Sequence, residues 1–287
     1  MILQRLKHKL NTPTWLIDNT MYLTRMGSFA YGVNDNNSDQ DYYGFTIPPK
    51  EIVFPHLAGY ISGFDKQIHT MNVWQQHHVL DDKTSYDFAI YNIVHFFRLC
   101  MDNNPNMIDS LFVSENCIVH STHIAELIRK NRKIFLHKGA WHKFKGYAYS
   151  QLSKLNRIPT GPRRVVVEKF GYDLKFAYHL IRLLNEVEQI LYEGDLNLLK
   201  SKEQLKSIRN GEWTEQRVRN YFTIKEIELE KLYHNSELQY SPDITEIKKL
   251  LIKCLEMHYQ SLPTEIDIND QYIKDLQQIA DITSKYL

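Results

Sequence analysis

The sequence lacks any long hydrophobic run. None of its 287 residues fall in a stretch approaching the roughly 18 apolar residues of a membrane-spanning helix, so no span is expected. Cysteine is scarce: Cys100, Cys117 and Cys254 lie far apart with no CxxC spacing. That spacing excludes a disulfide framework and a cysteine zinc site, and fits a reducing, cytoplasmic compartment. The opening residues MILQRLKHKLNTPTW carry no apolar core and no small-residue cleavage site, so no secretory leader is expected. Net charge is also small, at +1, which by itself points to neither nucleic acid nor membrane. Glycine and proline thin out beyond about residue 120, except at IPTGP (158–162). No internal repeat or low-complexity tract is present.

What is there is ordinary globular composition, 43% hydrophobic and 24% charged, with 18 Tyr and 13 Phe for cores and stacking surfaces. The small net charge hides an asymmetry. Residues 111–180 hold 13 Lys and Arg against 4 Asp and Glu, whereas residues 1–110 hold 8 against 11 and residues 181–287 hold 14 against 19. A basic block between acidic flanks is a candidate surface for phosphates.

The first part alternates short elements. MYLTRMGS (21–28) reads as a strand entering a Gly-Ser turn, FAYGV as a short helix and DNNS (35–38) as a loop. DQDYYGFTI (39–47) reads as a strand stopped by Pro48-Pro49, and 50–85 as strands or loops. SYDFAIYN (85–92) has strand composition and leads into IVHFFRLCMDN, where Ile93, Phe96, Phe97 and Cys100 follow helical spacing. NPN (104–106) breaks that helix and MIDSLFV forms a short one. Helical patterns then dominate: 121–137, 139–157, 165–193, 201–209, 214–235, 243–261 and 268–286. The expectation is an N-terminal α/β domain over 1–120 and a helical domain over 121–287.

Residues 27–44 read GSFAYGVNDNNSDQDYYG. In an extended chain Asp39 and Asp41 project from one face. Like charges so close repel unless a cation or proton lies between them. Mg²⁺ suits such a pair, because it takes one or two carboxylates and completes its shell with phosphate oxygens. Two such ions activate an attacking hydroxyl and stabilise a leaving pyrophosphate. Gly27 and Ser28 offer the complementary part, backbone N–H groups and a hydroxyl for the β- and γ-phosphates of a nucleotide. Either piece alone reads as a turn or a solvated loop; together, between two strands, they are far more specific.

GSFAYGVNDNNSDQDYYGF resembles the GS-x(n)-DxD signature of the DNA polymerase beta-like nucleotidyltransferases. More closely it is similar to a bacterial and phage branch of predicted nucleotidyltransferases that begin Gly-Ser-x-Ala-Tyr-Gly and continue Ser-Asp-x-Asp-x-x-Gly. YDFAIYNIVHFFRLCMDNNPNMIDSLF (86–112), KFGYDLKFAYHLIRLL (169–184), EGDL (193–196) and IRNGEW (208–213) extend the likeness over roughly residues 22–215. The resemblance implies an α+β fold, a polymerase beta-like palm with a mixed sheet followed by a helical C-terminal domain that closes the cleft. It implies a third carboxylate on a neighbouring strand, matched here by Asp87, with Asp81 and Asp82 left as loop charges. Asp39 and Asp41 would hold two Mg²⁺ ions (Mn²⁺ as a substitute), and Asp87 would hold the catalytic ion and take the acceptor proton.

On the expected helix 165–193, Phe170, Leu174, Ala177, Ile181 and Leu184 form a core face. Tyr172, Lys175, His179 and Arg182 form a second stripe, read as nucleotide-binding. Lys175 is the first candidate for a phosphate contact and Arg182 the second, with Lys143, Lys145, Lys154, Arg163 and Arg164 just upstream. His77, His78 and His95 have no metal-ligand spacing, and Trp74, Trp141 and Trp213 read as core. Tyr147 or Tyr149 is a base-stacking candidate. The activity implied is transfer of a nucleoside monophosphate from an NTP to RNA, with a tRNA 3′ end as the narrower form. Protein or small-molecule acceptors, a non-catalytic binder of nucleotide or RNA, and a phosphohydrolase are the alternatives.

Overall fold

The computed structural model describes residues 1–34, 39–54, 71–82, 84–158, 160–161 and 163–260. The expected loop 35–38 and the expected helix 268–286 lie outside them, as does much of 50–85. Five strands form one mixed sheet: β1 (Thr20–Arg25), β2 (Gln40–Thr46), β3 (Val73–Asp81), β4 (Thr84–Asn92) and β5 (Ile118–Ser121), in the order β3-β4-β2-β1-β5. β2 and β4 run parallel, and the other pairs are antiparallel. The described helices are α1 (Ile2–Arg5), α2 (Gly27–Ala30), α3 (Lys50–Val53), α4 (Ile93–Met101), α5 (Pro105–Phe112), α6 (His123–Lys130), α7 (Ala140–Leu152), α8 (Arg163–Phe170), α9 (Leu174–Glu193), α10 (Lys202–Arg209), α11 (Glu215–Asn235) and α12 (Ile244–Tyr259). The α+β class expected from the sequence is the class observed.

Local chemistry sets the boundaries. Asn92 ends β4 and caps α4, its side chain accepting from Val94 N–H at 2.9 Å. Asn104 caps α5, with Pro105 in the first turn, where a missing N–H costs nothing. Gly44 lets β2 lie against β1, since a Cβ there would stand 2.1 Å from the Tyr22 carbonyl oxygen.

The side chains of β2 and β4 divide by parity. Tyr42, Phe88 and Ile90 pack with Leu3, Leu6, Leu16 and Ile17 on one face. Phe45 faces the larger cluster, which runs from Met21 through Phe96, Trp141, Ile181 and Leu250 to Cys254. One apolar core therefore joins the sheet to the long helices, and each fully buried large side chain contributes about 1.5–3 kcal/mol.

The expected helix 165–193 is two helices. Gly171 takes φ +81°, Tyr172 follows, and Asp173 starts α9 by accepting from Lys175 N–H at 2.9 Å. Asp173 N–H itself donates to the Leu155 carbonyl at 2.9 Å. A left-handed glycine followed by a capping aspartate ends one helix and begins another. Tyr172 thus sits in the joint and not on the stripe carrying Lys175, His179 and Arg182. Likewise the expected helix 121–137 stops at Lys130 and continues as a tighter turn over Arg132–Phe135.

Candidate active site

The sheet brings the sequence's two separate signals together at one edge. β1 ends at Arg25 where β2 begins, and Met26 N–H donates to the Asp41 carbonyl at 2.7 Å. The chain then turns through Gly27 at φ +60°. A Cβ on Gly27 would stand 2.0 Å from Asp41 Oδ2, so only glycine leaves room for that carboxylate. Gly-Ser and Asp-x-Asp are therefore in contact.

Parallel pairing of β2 and β4 places Asp41 in register with Asp87 on the adjacent strand. Neighbouring strands are about 4.8 Å apart, and parallel partners project to the same side. Asp39, exposed, precedes β2 by one residue. The Asp41 carboxyl is pushed up to about 6, first by burial, then by the charges of Asp87 and Asp39; Lys175 and His77 pull the other way. Four ionisable side chains thus act on the Asp41 carboxyl. Lys175 comes from the first turn of α9 and is exposed.

Asp87 has partners that the sequence reading passed over. β3 carries a bulge between Gln76 and Val79, with His78 at φ 55°. The bulge turns His78 N–H to Asp87 Oδ1 at 2.7 Å and brings His77 Nδ1 to 3.6 Å from Asp87 Oδ2. A signal was available. Trp74 and Val79 both enter the same core cluster, and an odd spacing between inward-facing strand residues requires an extra residue between them.

The rest of the proposed nucleotide-binding set is dispersed. Tyr172 is 1% exposed, and its hydroxyl donates to the Trp213 carbonyl at 2.6 Å. Arg182 is 5% exposed and sits among Asp109, Glu186 (3.0 Å) and the Tyr31 hydroxyl (2.6 Å). Tyr31 also donates to Asp109 at 2.7 Å. The Arg182 guanidinium therefore anchors the end of the GSFAY segment to α5 and α9. His179 packs beside Tyr178, ring centroids 4.7 Å apart.

The basic block is partly neutralised by packing. Lys145 pairs with Glu226 at 2.9 Å and Glu230 at 3.4 Å, and the Tyr149 hydroxyl donates to Glu226 at 2.6 Å. Tyr147 accepts from Asn104 at 3.1 Å. Trp74, Trp141 and Trp213 are core residues, as read from the sequence.

Among the described residues no three His, Cys, Asp or Glu side chains form a ready-made metal cage. The donor set still fits Mg²⁺, which binds through one or two carboxylates and substrate phosphates in place of an all-protein cage. Burial first, and then the charges of Asp87 and Asp39, raise the Asp41 carboxyl, and a cation between these side chains would relieve the repulsive part. No helix among the described residues is long and apolar enough to cross a membrane.

The fold and site describe an α+β protein whose mixed sheet gathers acidic residues beside a Gly-Ser turn. Residues 2–277 match the family model described as the RNA repair pathway DNA polymerase beta family, and the chain belongs to that family. It is also 25% identical over 138 residues to an uncharacterized 38.9 kDa protein of the nrdC–mobD intergenic region of Enterobacteria phage T4, covering 47% of this chain and 38% of the phage protein. The chain thus matches well under half the length of that relative. Among solved structures, a nucleotidyltransferase-like protein from Exiguobacterium sibiricum is similar at 11% identity and a TM-score of 0.28, covering 76% of this chain and 69% of the other.

Proposed function

We propose that the protein is a Mg²⁺-dependent nucleotidyltransferase that moves a nucleoside monophosphate from an NTP to RNA and releases pyrophosphate. The observation that carries this reading is the Asp41 carboxylate, packed on Gly27 and in register with Asp87. Membership of a family described by RNA repair and polymerase beta supports both the reaction class and the acceptor.

In this reading Gly27 and Ser28 hold the β- and γ-phosphates of the NTP. Lys175 lies near enough to favour the ionised form of Asp41, and contributes positive charge to the triphosphate. Asp39, Asp41 and Asp87 hold Mg²⁺, which when bound polarises the α-phosphate and stabilises the charge that develops on pyrophosphate. Asp87 accepts the proton of the acceptor hydroxyl. His78 N–H holds that carboxylate by one oxygen and leaves the other lone pairs available. Arg182 acts at a distance by fixing Tyr31, four residues after Gly27. A tRNA 3′ end is the narrower acceptor.

The test is incubation with each α-³²P-labelled NTP and Mg²⁺, with total cellular RNA, protein and small-molecule pools offered separately. Label in RNA that disappears in the Asp41→Asn/Asp87→Asn variant supports the proposal. Label in protein or a small molecule replaces the acceptor. Tight NTP binding with no label in any pool replaces the reaction with nucleotide binding alone.

A further inference from the structure

A cavity of about 260 Å³ opens beyond the start of β5, lined by Ser114, Glu115, Arg129, Arg132, Asn197 and Leu199 among others. The topology fixes its place. β5 is antiparallel to β1, so its first residue pairs near the β1 end that leads into Gly27. The cavity therefore lies at the same edge of the sheet as the carboxylates, with β5 two strands from β2, roughly 10 Å laterally. It lies on the same face too: Arg129 and Glu115 both act electrostatically on the Tyr22 phenol, which packs with Phe45. A third link is Gly32, at the end of the GSFAYG segment, where a Cβ would stand 3.1 Å from Leu199.

The lining chemistry is that of an anion site. Arg129 Nη1 reaches Glu115 at 3.0 Å and its Nη2 reaches the Val113 carbonyl at 3.1 Å. Arg132 Nη1 donates to the Arg129 carbonyl at 3.0 Å, and its guanidinium lies 4.8 Å from the Phe112 ring centroid. The Nε–H groups of both arginines are buried with no partner among the described residues. Those buried nitrogens are closed to a ligand, so the guanidinium Nη groups carry the anion chemistry: such forks match phosphate oxygens in geometry and charge. Glu115 does not block such a ligand, since its side chain is 85% exposed and free to turn to solvent. The neighbouring Lys133 pairs with Asp195 at 2.6 Å, and Arg132, which no described carboxylate approaches within ion-pair distance, acts on Asp195 from further away.

We propose that this cavity binds a backbone phosphate of the acceptor RNA and so sets where its reacting end meets the carboxylates. The inference rests on the nucleotidyltransferase reading and assigns the acceptor side of that site. The basic block that contains Arg129 and Arg132 carries an excess of cations of the kind an RNA strand requires.

The experiment measures binding of a short single-stranded RNA to the full chain across a salt series, for the wild type, Arg132→Gln and Arg132→Lys. Removing one phosphate contact lowers the slope of log K against log salt by about 0.7 for a single strand. Arg132→Gln is expected to lose that increment, Arg132→Lys to keep it, and both to bind NTP as the wild type does. A purely structural role would weaken binding without changing the slope. An unchanged slope in Arg132→Gln, with label still transferred to RNA by the wild type, overturns the cavity and leaves the enzyme reading intact. Failure of the wild type to bind or label RNA overturns both.

Discussion

Replacing Asp41 by Asn tests whether the carboxylates are crowded for a purpose other than stability. The Asp41 carboxyl rises from 3.8 to about 6 in the fold, through burial first and then through Asp87 and Asp39. Two units correspond to ~3 kcal/mol of preference for the protonated form. The native state therefore binds more protons than the unfolded chain between those values, so stability falls as pH rises through that window and the loss is complete above it. Without metal at pH 7.5, Asp41→Asn should be the more stable protein by up to ~3 kcal/mol, or roughly 6–12 °C in Tm for a chain of this size. The gap should close near pH 4, where Asp41 is protonated anyway. Mg²⁺ should raise the wild-type Tm and leave the variant nearly unmoved. Thermal melts at several pH values decide it. A variant no more stable than wild type at pH 7.5, or a gap that ignores pH, would refute the reasoning.

Arg182→Met should destabilise by about 3–5 kcal/mol in denaturant melts, because Asp109 and Glu186 are left buried without their cation. Tyr172→Phe should cost only ~1 kcal/mol for the bond to Trp213 and leave NTP affinity unchanged, in contrast to a residue of the nucleotide site. Gly27→Ala should keep the far-ultraviolet circular dichroism of the wild type while abolishing transfer. The left-handed backbone costs ~1–2 kcal/mol and the new Cβ displaces the Asp41 carboxylate.

The elements that follow local rules were legible in the sequence. The helical spacing of Ile93, Phe96 and Cys100 announced α4, and MIDSLFV announced α5, although NPN (104–106), read as a break, supplies its cap and first turn. The strand carrying Asp41 and the strand carrying Asp87 were both legible, but their parallel pairing was not. Register between strands more than 40 residues apart is set by packing on both faces, which no short window contains. The fate of Arg182 was hidden for the same reason. Its periodicity on α9 is that of a polar stripe, and only the fold brings Asp109 and Tyr31 to it. Tyr172 was misplaced by reading one helix through Gly171-Tyr172-Asp173, a glycine and a capping residue whose joint effect outweighs the apolar period. The His77-His78 bulge falls in a stretch read only as strands or loops, and its target, Asp87, lies across a hairpin.

In the proposed function Asp41 and Asp87 form a cation site completed by a triphosphate. Mn²⁺ binding followed by electron paramagnetic resonance, with and without a non-hydrolysable NTP analogue, tests it most directly. The wild type should bind Mn²⁺, more tightly with the analogue, and the Asp41→Asn/Asp87→Asn variant should lose that binding. Equal Mn²⁺ binding by wild type and variant, at every analogue concentration, would contradict it.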